Sequence, residues 1–189
     1  CLRDRTGTEL MSTSSSLPSE HQATLIDGKA FAATLRQQIR EDVLAFHDQH
    51  GVTPGLAVIL VGNDPASEVY VKNKAIQTHH AGMRSFMHML PETTSETELL
   101  TLIGRLNNDP EIHGILVQLP LPNGLDARRI TNAIAPDKDV DGLGEVNAGR
   151  LAVELPGIVP CTPLGCLLLL RDQLGDMKGK HAVVIGASN

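Results

Sequence analysis

The chain has 189 residues, which is enough for one complete domain and part of another. Its net charge of −6, without a basic run, argues against nucleic acid and an anionic membrane as partners. Three sparse cysteines and eight scattered histidines predict no disulfide framework and no metal site, and no apolar stretch is long enough to span a bilayer.

Residues 1–21 are expected to be a tail that is disordered or foreign to the natural protein, because they are polar, rich in Ser and Thr and unpatterned. Met11 is a candidate for the natural start. No signal peptide is visible, so we expect a cytoplasmic protein.

Strand and helix patterns alternate regularly after this tail. Asp27 is placed to cap the first helix, which ends near Gly51, and the apolar run Gly55–Val61 is typical of a strand buried on both faces. This alternation predicts an α/β fold of three layers, a parallel sheet with helices on both faces. The other predicted elements are a helix over about 66–80, a strand over 86–90, a helix capped by Thr94 or Ser95, a strand over 114–122, a short helix over 126–135, a loop-rich stretch over 136–162, a helix with Pro163 in its first turn that reaches about Leu174, and a last strand over 181–185.

The strand that begins at Gly114 carries a polar residue at its end. Ile115–Val117 form an apolar run, Gln118 follows, and Pro120 and Pro122 stop the strand because proline cannot donate to the sheet. Ligands of open α/β sheets bind beyond the carboxyl ends of the strands, so Gln118 is placed to contact one. The alternative is a polar residue that merely ends a strand.

Tyr70 and Lys74 share one face of the predicted second helix, since they are four residues apart, and Ser67 lies one turn earlier. A lysine there can act as acid or base if desolvation lowers its pKa towards neutrality. The alternative is a solvated helix face, which we favour for Lys72. The Tyr-x-x-x-Lys pattern also occurs in short-chain dehydrogenases, but there the glycine-rich turn comes first, whereas here Gly186 follows the pair.

Two further segments stand out in the second half of the chain. Lys138–Gly142 reads Lys-Asp-Val-Asp-Gly, and it lacks the glutamate that should complete an EF-hand calcium loop. A carboxylate that accepts hydrogen bonds from the N–H groups of a heterocycle fits this segment better, with an Asx turn as the alternative. Pro160–Gly165 rigidly links a loop to a helix start, and a structural role is favoured for it.

In their order and spacing, these motifs together resemble the methylenetetrahydrofolate dehydrogenase/cyclohydrolase family. The resemblance extends from about Leu25 to Asn189 and is far more specific than any single motif. The motifs are Tyr70 with Lys74, Gln118–Pro122, Lys138–Gly142 and Pro160–Pro163.

The resemblance implies one-carbon folate chemistry: NADP-dependent oxidation of 5,10-methylenetetrahydrofolate to the methenyl form, then hydrolysis to 10-formyltetrahydrofolate. Lys74 resembles the catalytic lysine of the hydrolysis, and Gln118 resembles the glutamine bonded to it. Tyr70 resembles the tyrosine that stacks on the folate, and Asp141 the carboxylate that holds the pterin. The implied substrate-binding residues are Ser67, Tyr70, Gln118, Leu119, Pro120, Asp141 and Pro163, and the implied cofactor-binding residues are Gly186 and Ser188.

Two segments depart from the family pattern. Leu143–Glu145 stands where the family has Phe-His-Pro, so the backbone is expected to differ there. Gly186–Ser188 reads Gly-Ala-Ser where the family usually has Gly-Arg-Ser, whose arginine meets the 2′-phosphate of NADP. The missing guanidinium weakens the case for NADP over NAD. The resemblance implies NADP as the cofactor, and NAD is the alternative.

The resemblance also implies two domains. Residues 22–160 would form the folate-binding catalytic domain, and residues 161–189 a linker helix and the first strand of an incomplete Rossmann-type domain. We therefore expect a portion of a longer enzyme that is a homodimer at full length. The alternatives are a non-catalytic folate-binding fragment and an amino-acid-dehydrogenase-like domain with another substrate.

Overall fold

The computed structural model of the protein describes residues 25–186. The predicted tail, with the candidate start Met11, and the predicted cofactor residue Ser188 lie outside this range. Within it, no helix is both long enough and apolar enough to cross a membrane. The elements in chain order are α1 Gly28–His50, β1 Gly55–Val61, α2 Pro65–His80, β2 Arg84–Leu90, α3 Glu96–Asn108, β3 Gly114–Val117, α4 Ala127–Asn132, α5 Glu145–Ala152 and α6 Cys161–Leu174.

Local hydrogen bonds explain where the first and third helices begin. The Asp27 carboxylate accepts from the N–H of Ala30 at 2.9 Å, and Gly51, with φ of 67°, ends α1. At α3 the Ser95 hydroxyl accepts from the N–H of Glu98 at 3.3 Å, while the Ser95 N–H donates to the Glu98 carboxylate at 2.8 Å. The predicted starts are confirmed, with Ser95 rather than Thr94 as the cap of α3.

The three strands form one parallel sheet in the order β2–β1–β3. Gly55 pairs with Arg84 of β2, and Leu56 pairs with Gly114 of β3. Because β1 is central, both of its sides are hydrogen-bonded and both of its faces are covered. The predicted parallel sheet with helices on both faces is confirmed.

Successive residues of β1 point to opposite faces of the sheet. On what we call the α2 face, Val58 and Leu60 pack with Val71 of α2 and Leu116 of β3. The opposite side, which we call the α3 face, holds a larger cluster, with Phe86 and Leu90 packed at its edge. Its members are Ala57, Ile59, Val61, Leu99, Leu102, Ile103, Leu106, Ile112, Ile115, Val117, Ile130 and Ile134.

The predicted strand over 114–122 is shorter in the structure, since β3 ends at Val117. The N–H of Gln118 still donates to the carbonyl oxygen of Ile59 at 2.8 Å. Pro120 has no N–H to continue the pattern, so the chain leaves the sheet there.

The loop-rich interpretation of residues 136–162 is wrong for Glu145–Ala152, which form α5. This helix starts at Gly144 without a side-chain cap, and its one buried residue is the polar Asn147. The sequence therefore offers no Ser, Thr, Asp or Asn cap to mark its start, and the residue that anchors it is not apolar.

The predicted last strand over 181–185 is also wrong, because these residues are irregular in the structure. Val183, Val184 and Ile185 are 81%, 90% and 97% exposed. A strand needs a hydrogen-bonded neighbour, and among residues 25–186 none lies beside this segment.

Candidate functional site

A cavity of about 590 Å³ lies on the α2 face of the sheet. Leu56 and Leu116 form its apolar wall, and it reaches Gly55 and Gly114, where β1 and β3 begin. It therefore extends towards the amino-terminal ends of the strands rather than beyond their carboxyl ends. Its polar and reactive groups come from three distant segments: Lys74 of α2, Asp141 of the loop before α5, and Cys161 and Thr162 at the start of α6.

The start of α2 fixes the position of the lysine. Pro65 occupies the first turn, and the Asp64 carboxylate accepts from the N–H of Ser67 at 2.8 Å. The hydrogen bonds from Ser67 lower the pKa of Asp64, so the cap stays charged. Two turns further along this anchored helix, Lys74 is half-buried and borders the cavity.

The Lys74 ammonium is joined to the end of β3. Its Nζ donates to Oε1 of Gln118 at 3.0 Å, and Nε2 of Gln118 donates to the carbonyl oxygen of Leu119 at 2.7 Å. The two bonds fix which side of the amide faces the lysine, because only the oxygen can accept from an ammonium. The structure thus brings together a lysine and a glutamine that are 44 residues apart.

Asp141 lies at the third position of a tight turn. The N–H of Gly142 donates to the carbonyl oxygen of Asp139 at 3.1 Å, and Gly142 has φ of 64°, a conformation that favours glycine. Burial raises the pKa of Asp141, the positive charge of Lys74 opposes this rise, and the charge of Asp139 adds to it. The turn therefore presents to the cavity a carboxylate that is partly withdrawn from water.

Cys161 borders the cavity on the side of α6. Its Sγ donates to the carbonyl oxygen of Val140 at 3.3 Å. Burial raises the pKa of Cys161, and the negative charge of Asp141 raises it further. A thiol in this environment stays protonated at neutral pH and is a poor nucleophile, which fits a structural role for this residue.

Residues 26–141 match the profile of a family described as tetrahydrofolate dehydrogenase/cyclohydrolase, catalytic domain. The chain belongs to this family. The match covers every described strand and both the Lys74–Gln118 pair and Asp141.

Similar proteins agree with this assignment. The bifunctional protein FolD of Gluconacetobacter diazotrophicus is 78% identical over 167 residues, which are 88% of this chain and 54% of that protein. A crystal structure of FolD methylenetetrahydrofolate dehydrogenase/cyclohydrolase from Campylobacter jejuni has a TM-score of 0.84 at 46% identity, covering 87% of this chain and 58% of that one. The enzyme from Trypanosoma brucei, solved with NADP and an inhibitor, has a TM-score of 0.78 at 35% identity. The match covers 81% of this chain and 52% of that one. The chain thus spans about half the length of the curated relatives it matches.

In this chain the Lys-Asp-Val-Asp-Gly motif, Lys138–Gly142, contains residues that hold the structure and one carboxylate that borders the cavity. Nζ of Lys138 donates to the carbonyl oxygens of Leu106 at 3.1 Å and Asp109 at 2.9 Å, at the end of α3. Asp139 is 2% exposed and points away from the cavity, whereas Asp141 borders it. Among residues 25–186, no group of three or more His, Cys, Asp or Glu side chains is placed to hold a metal ion.

Three of the predicted substrate-binding residues, those on the helices, do not line the cavity. Tyr70 is 65% exposed, one helical turn before Lys74. Ser67 is buried at the start of α2, where its N–H donates to the carboxylate of the N-cap residue Asp64. Pro163 is exposed in the first turn of α6, as its position in the sequence indicated. Their contacts with a substrate stay predictions.

A separate cavity of about 360 Å³ lies beyond the carboxyl end of β1. It is bordered by Gly62, Asp64, Glu92 and Pro120, and neither Lys74 nor Asp141 reaches it. Leu119 and Pro120 therefore lead from the Lys74 site towards a second opening. Of these two cavities, only this second one lies at the carboxyl strand end where the sequence predicted a ligand.

Gly186, the first predicted cofactor residue, is exposed at the end of the described range with φ of 139°. Ser188 lies outside that range. Among the described residues no helix follows Gly186, so they do not by themselves build the predicted pyrophosphate site at this glycine.

Sequence reasoning missed Cys161 and Thr162 as cavity residues. The motif Pro160–Gly165 had been noted, but a helix start gives no indication of which neighbouring loop it contacts. The contact of Cys161 with Val140 joins residues 21 positions apart, and no local pattern predicts it.

Proposed function

We propose that this chain is the folate-binding portion of a bifunctional methylenetetrahydrofolate dehydrogenase/methenyltetrahydrofolate cyclohydrolase. The whole enzyme oxidises 5,10-methylenetetrahydrofolate to 5,10-methenyltetrahydrofolate and hydrolyses that product to 10-formyltetrahydrofolate. The observation that carries the proposal is the Lys74–Gln118 hydrogen bond of 3.0 Å beside a cavity that also holds Asp141. Membership of the family supports it.

Lys74 supplies the proton transfers of the hydrolysis. The methenyl group is a cation, so water adds to its bridging carbon and then loses a proton. The resulting hydroxyl adduct then collapses: the hydroxyl loses its proton as the C=O bond of the formyl group forms, the bond from that carbon to one ring nitrogen breaks, and the nitrogen receives a proton. One proton is released overall. An amine beside the reacting carbon takes the proton from the attacking water and delivers one to the nitrogen, which is general acid–base catalysis.

Gln118 suits this role because it is uncharged. A carboxylate at 3.0 Å would favour the ammonium form of Lys74, whereas the amide oxygen positions the amine with less bias. Among the described residues Lys74 forms no salt bridge. Lys74 borders the cavity, where a bound substrate can reach it.

Asp141 accepts hydrogen bonds from the N–H groups of the pterin, and the exposed ring of Tyr70 stacks on the folate. Both assignments follow the family motif and the positions of these groups near Lys74. Substrate contacts of Ser67, Leu119, Pro120 and Pro163 are proposed from the family motif alone.

NADP is the cofactor that we propose for the whole enzyme, with NAD as the alternative. The relative from Trypanosoma brucei was solved with NADP, which supports this choice. The described residues do not build a dinucleotide site, so we assign no step of the hydride transfer to them. A homodimeric state and a cytoplasmic location are predictions for the whole protein.

The replacement Lys74→Met tests the proposal in the full-length protein that contains this sequence. We expect cyclohydrolase activity to fall at least about 100-fold, the usual contribution of a general acid or base. Lys72→Met is the matched control, because Lys72 lies on the same helix and is exposed, and its one ion pair among the described residues is with Glu68 at 3.7 Å. It should keep activity within about twofold. Full cyclohydrolase activity in Lys74→Met would refute the proposal.

A further inference from the structure

Two buried polar side chains hold the Asp141 turn from the side away from the cavity. Asp139 is 2% exposed and Asn147, on α5, is 1% exposed. Oδ2 of Asp139 accepts from the N–H of Gly144 at 2.8 Å and from Nδ2 of Asn147 at 3.3 Å. Buried polar groups are costly unless they are bonded, so these bonds determine how the loop packs.

Asn147 joins three segments through one amide. Its Nδ2 donates to the carbonyl oxygen of Pro136 at 2.8 Å as well as to Asp139. Its Oδ1 accepts from the N–H of Ile158 at 3.4 Å. A single side chain therefore contacts the chain before the turn, at the turn and after α5.

The segment that follows Ile158 leads to Cys161 and Thr162, which line the cavity beside the Asp141 turn. A side chain on Gly142 would lie 2.9 Å from the carbonyl oxygen of Ile158 and 2.9 Å from the nitrogen of Pro160, so the two segments are in direct contact. The chain then continues to Cys161, whose thiol donates to Val140. The bond from Ile158 to Asn147 thus fixes the α6 side of the cavity relative to the turn.

Neither buried residue can touch a ligand in the large cavity. Asp139 and Asn147 border a separate cavity of about 170 Å³, together with Gly144 and Glu145. Any effect that they have on substrate is therefore transmitted through the residues that they hold.

We propose that Asn147, together with Asp139, is a positioning residue for folate binding: it holds the Asp141 turn and the adjoining start of α6 in a fixed arrangement at the cavity. The inference rests on the proposed function, in which Asp141 binds the pterin. An apolar side chain of similar volume would fill the same space, but it could not form the hydrogen bonds that join the three segments.

The test compares Asn147→Ala, Asp141→Asn and the double variant in the full-length protein. Each is assayed for cyclohydrolase kcat and for KM with the methenyl substrate. We expect Asn147→Ala to raise KM about tenfold, with kcat within about threefold. In the double variant, KM should be no higher than in Asp141→Asn, because residues that act through one another are not additive.

Ser95→Ala is the control for a general loss of stability. It removes the capping box of α3, on the opposite face of the sheet, and should lower the melting temperature without changing KM. If Asn147→Ala does not fold, Gly144→Ala replaces it. Its added Cβ would lie 3.0 Å from Oδ2 of Asp139 and should raise KM about two- to threefold.

The outcomes separate the inference from the function on which it rests. A parental KM in Asn147→Ala, beside a raised KM in Asp141→Asn, overturns the positioning role alone. The positioning role is also overturned if the KM increases of the two single variants multiply in the double variant. A parental KM in Asp141→Asn overturns the proposed role of Asp141 and the inference together.

Discussion

The two faces of the sheet serve different purposes although they are built on the same strand. On the α3 face, Ile59 of β1 packs with Leu99 and Ile103 in a closed cluster of twelve buried residues. On the α2 face the buried cluster of described residues has four members, and the cavity that Lys74 and Asp141 border lies on the same face. The contrast indicates that one face supplies stability and the other keeps room for a ligand.

The largest effect should come from deleting core volume on the α3 face. Leu99 is 0% exposed, so Leu99→Ala should lower the free energy of unfolding by about 2–5 kcal/mol. The matched change on the other face is Leu56→Ala, next to the cavity, for which we expect a smaller loss. Urea unfolding of the two variants compares them, and equal losses would contradict the division between the faces.

The next largest effect should come from the lysine that joins the motif loop to α3. Nζ of Lys138 donates to two carbonyl oxygens at the end of that helix. Lys138→Met should lower the free energy of unfolding by about 1–3 kcal/mol, because hydrogen bonds to a charged group are lost. The KM for folate should change little, since Lys138 does not line the cavity. A large change in KM without a loss of stability would show that Lys138 belongs to the ligand site instead.

The smallest expected effect is a gain in stability, and it comes from replacing Asp141 on the α2 face. Burial raises the pKa of Asp141, so the folded protein binds this proton more tightly than the unfolded chain does. That contribution to stability is fully present below the ordinary carboxyl pKa and is lost as pH rises through the folded pKa. Asp141→Asn should therefore raise the melting temperature at neutral pH, and the gain should shrink in acid. A lower melting temperature at neutral pH would be evidence against this account.

Regular elements with local sequence signals were predictable. The apolar run Gly55–Val61 gave β1 with its observed bounds, and Asp27 and Gly51 marked the ends of α1 because capping is a local interaction. The helix α5 was missed, since its single buried residue, Asn147, is polar and bonds to distant segments. The last strand was expected from an apolar run at 183–185, but a strand needs a neighbour that no local pattern can guarantee.

The site was predictable only in part. Lys74, Gln118 and Asp141 were identified through the resemblance, and the structure brings the first two into contact and the third to the same cavity. The position of that cavity was not foreseen. A sequence shows where a strand ends, but it does not show which part of the sheet the helices leave uncovered. Tyr70 was expected in the same group, and its 65% exposure leaves its stacking role as a prediction.

The most direct test of the central claim is a crystal structure of the full-length protein with a bound folate analogue. The account predicts that the pterin lies in the cavity on the α2 face, with its N–H groups within hydrogen-bond distance of Asp141 and its reactive nitrogens near Nζ of Lys74. A pterin that binds in the cavity bordered by Pro120 and Glu92, without contact to Asp141 or Lys74, would contradict it.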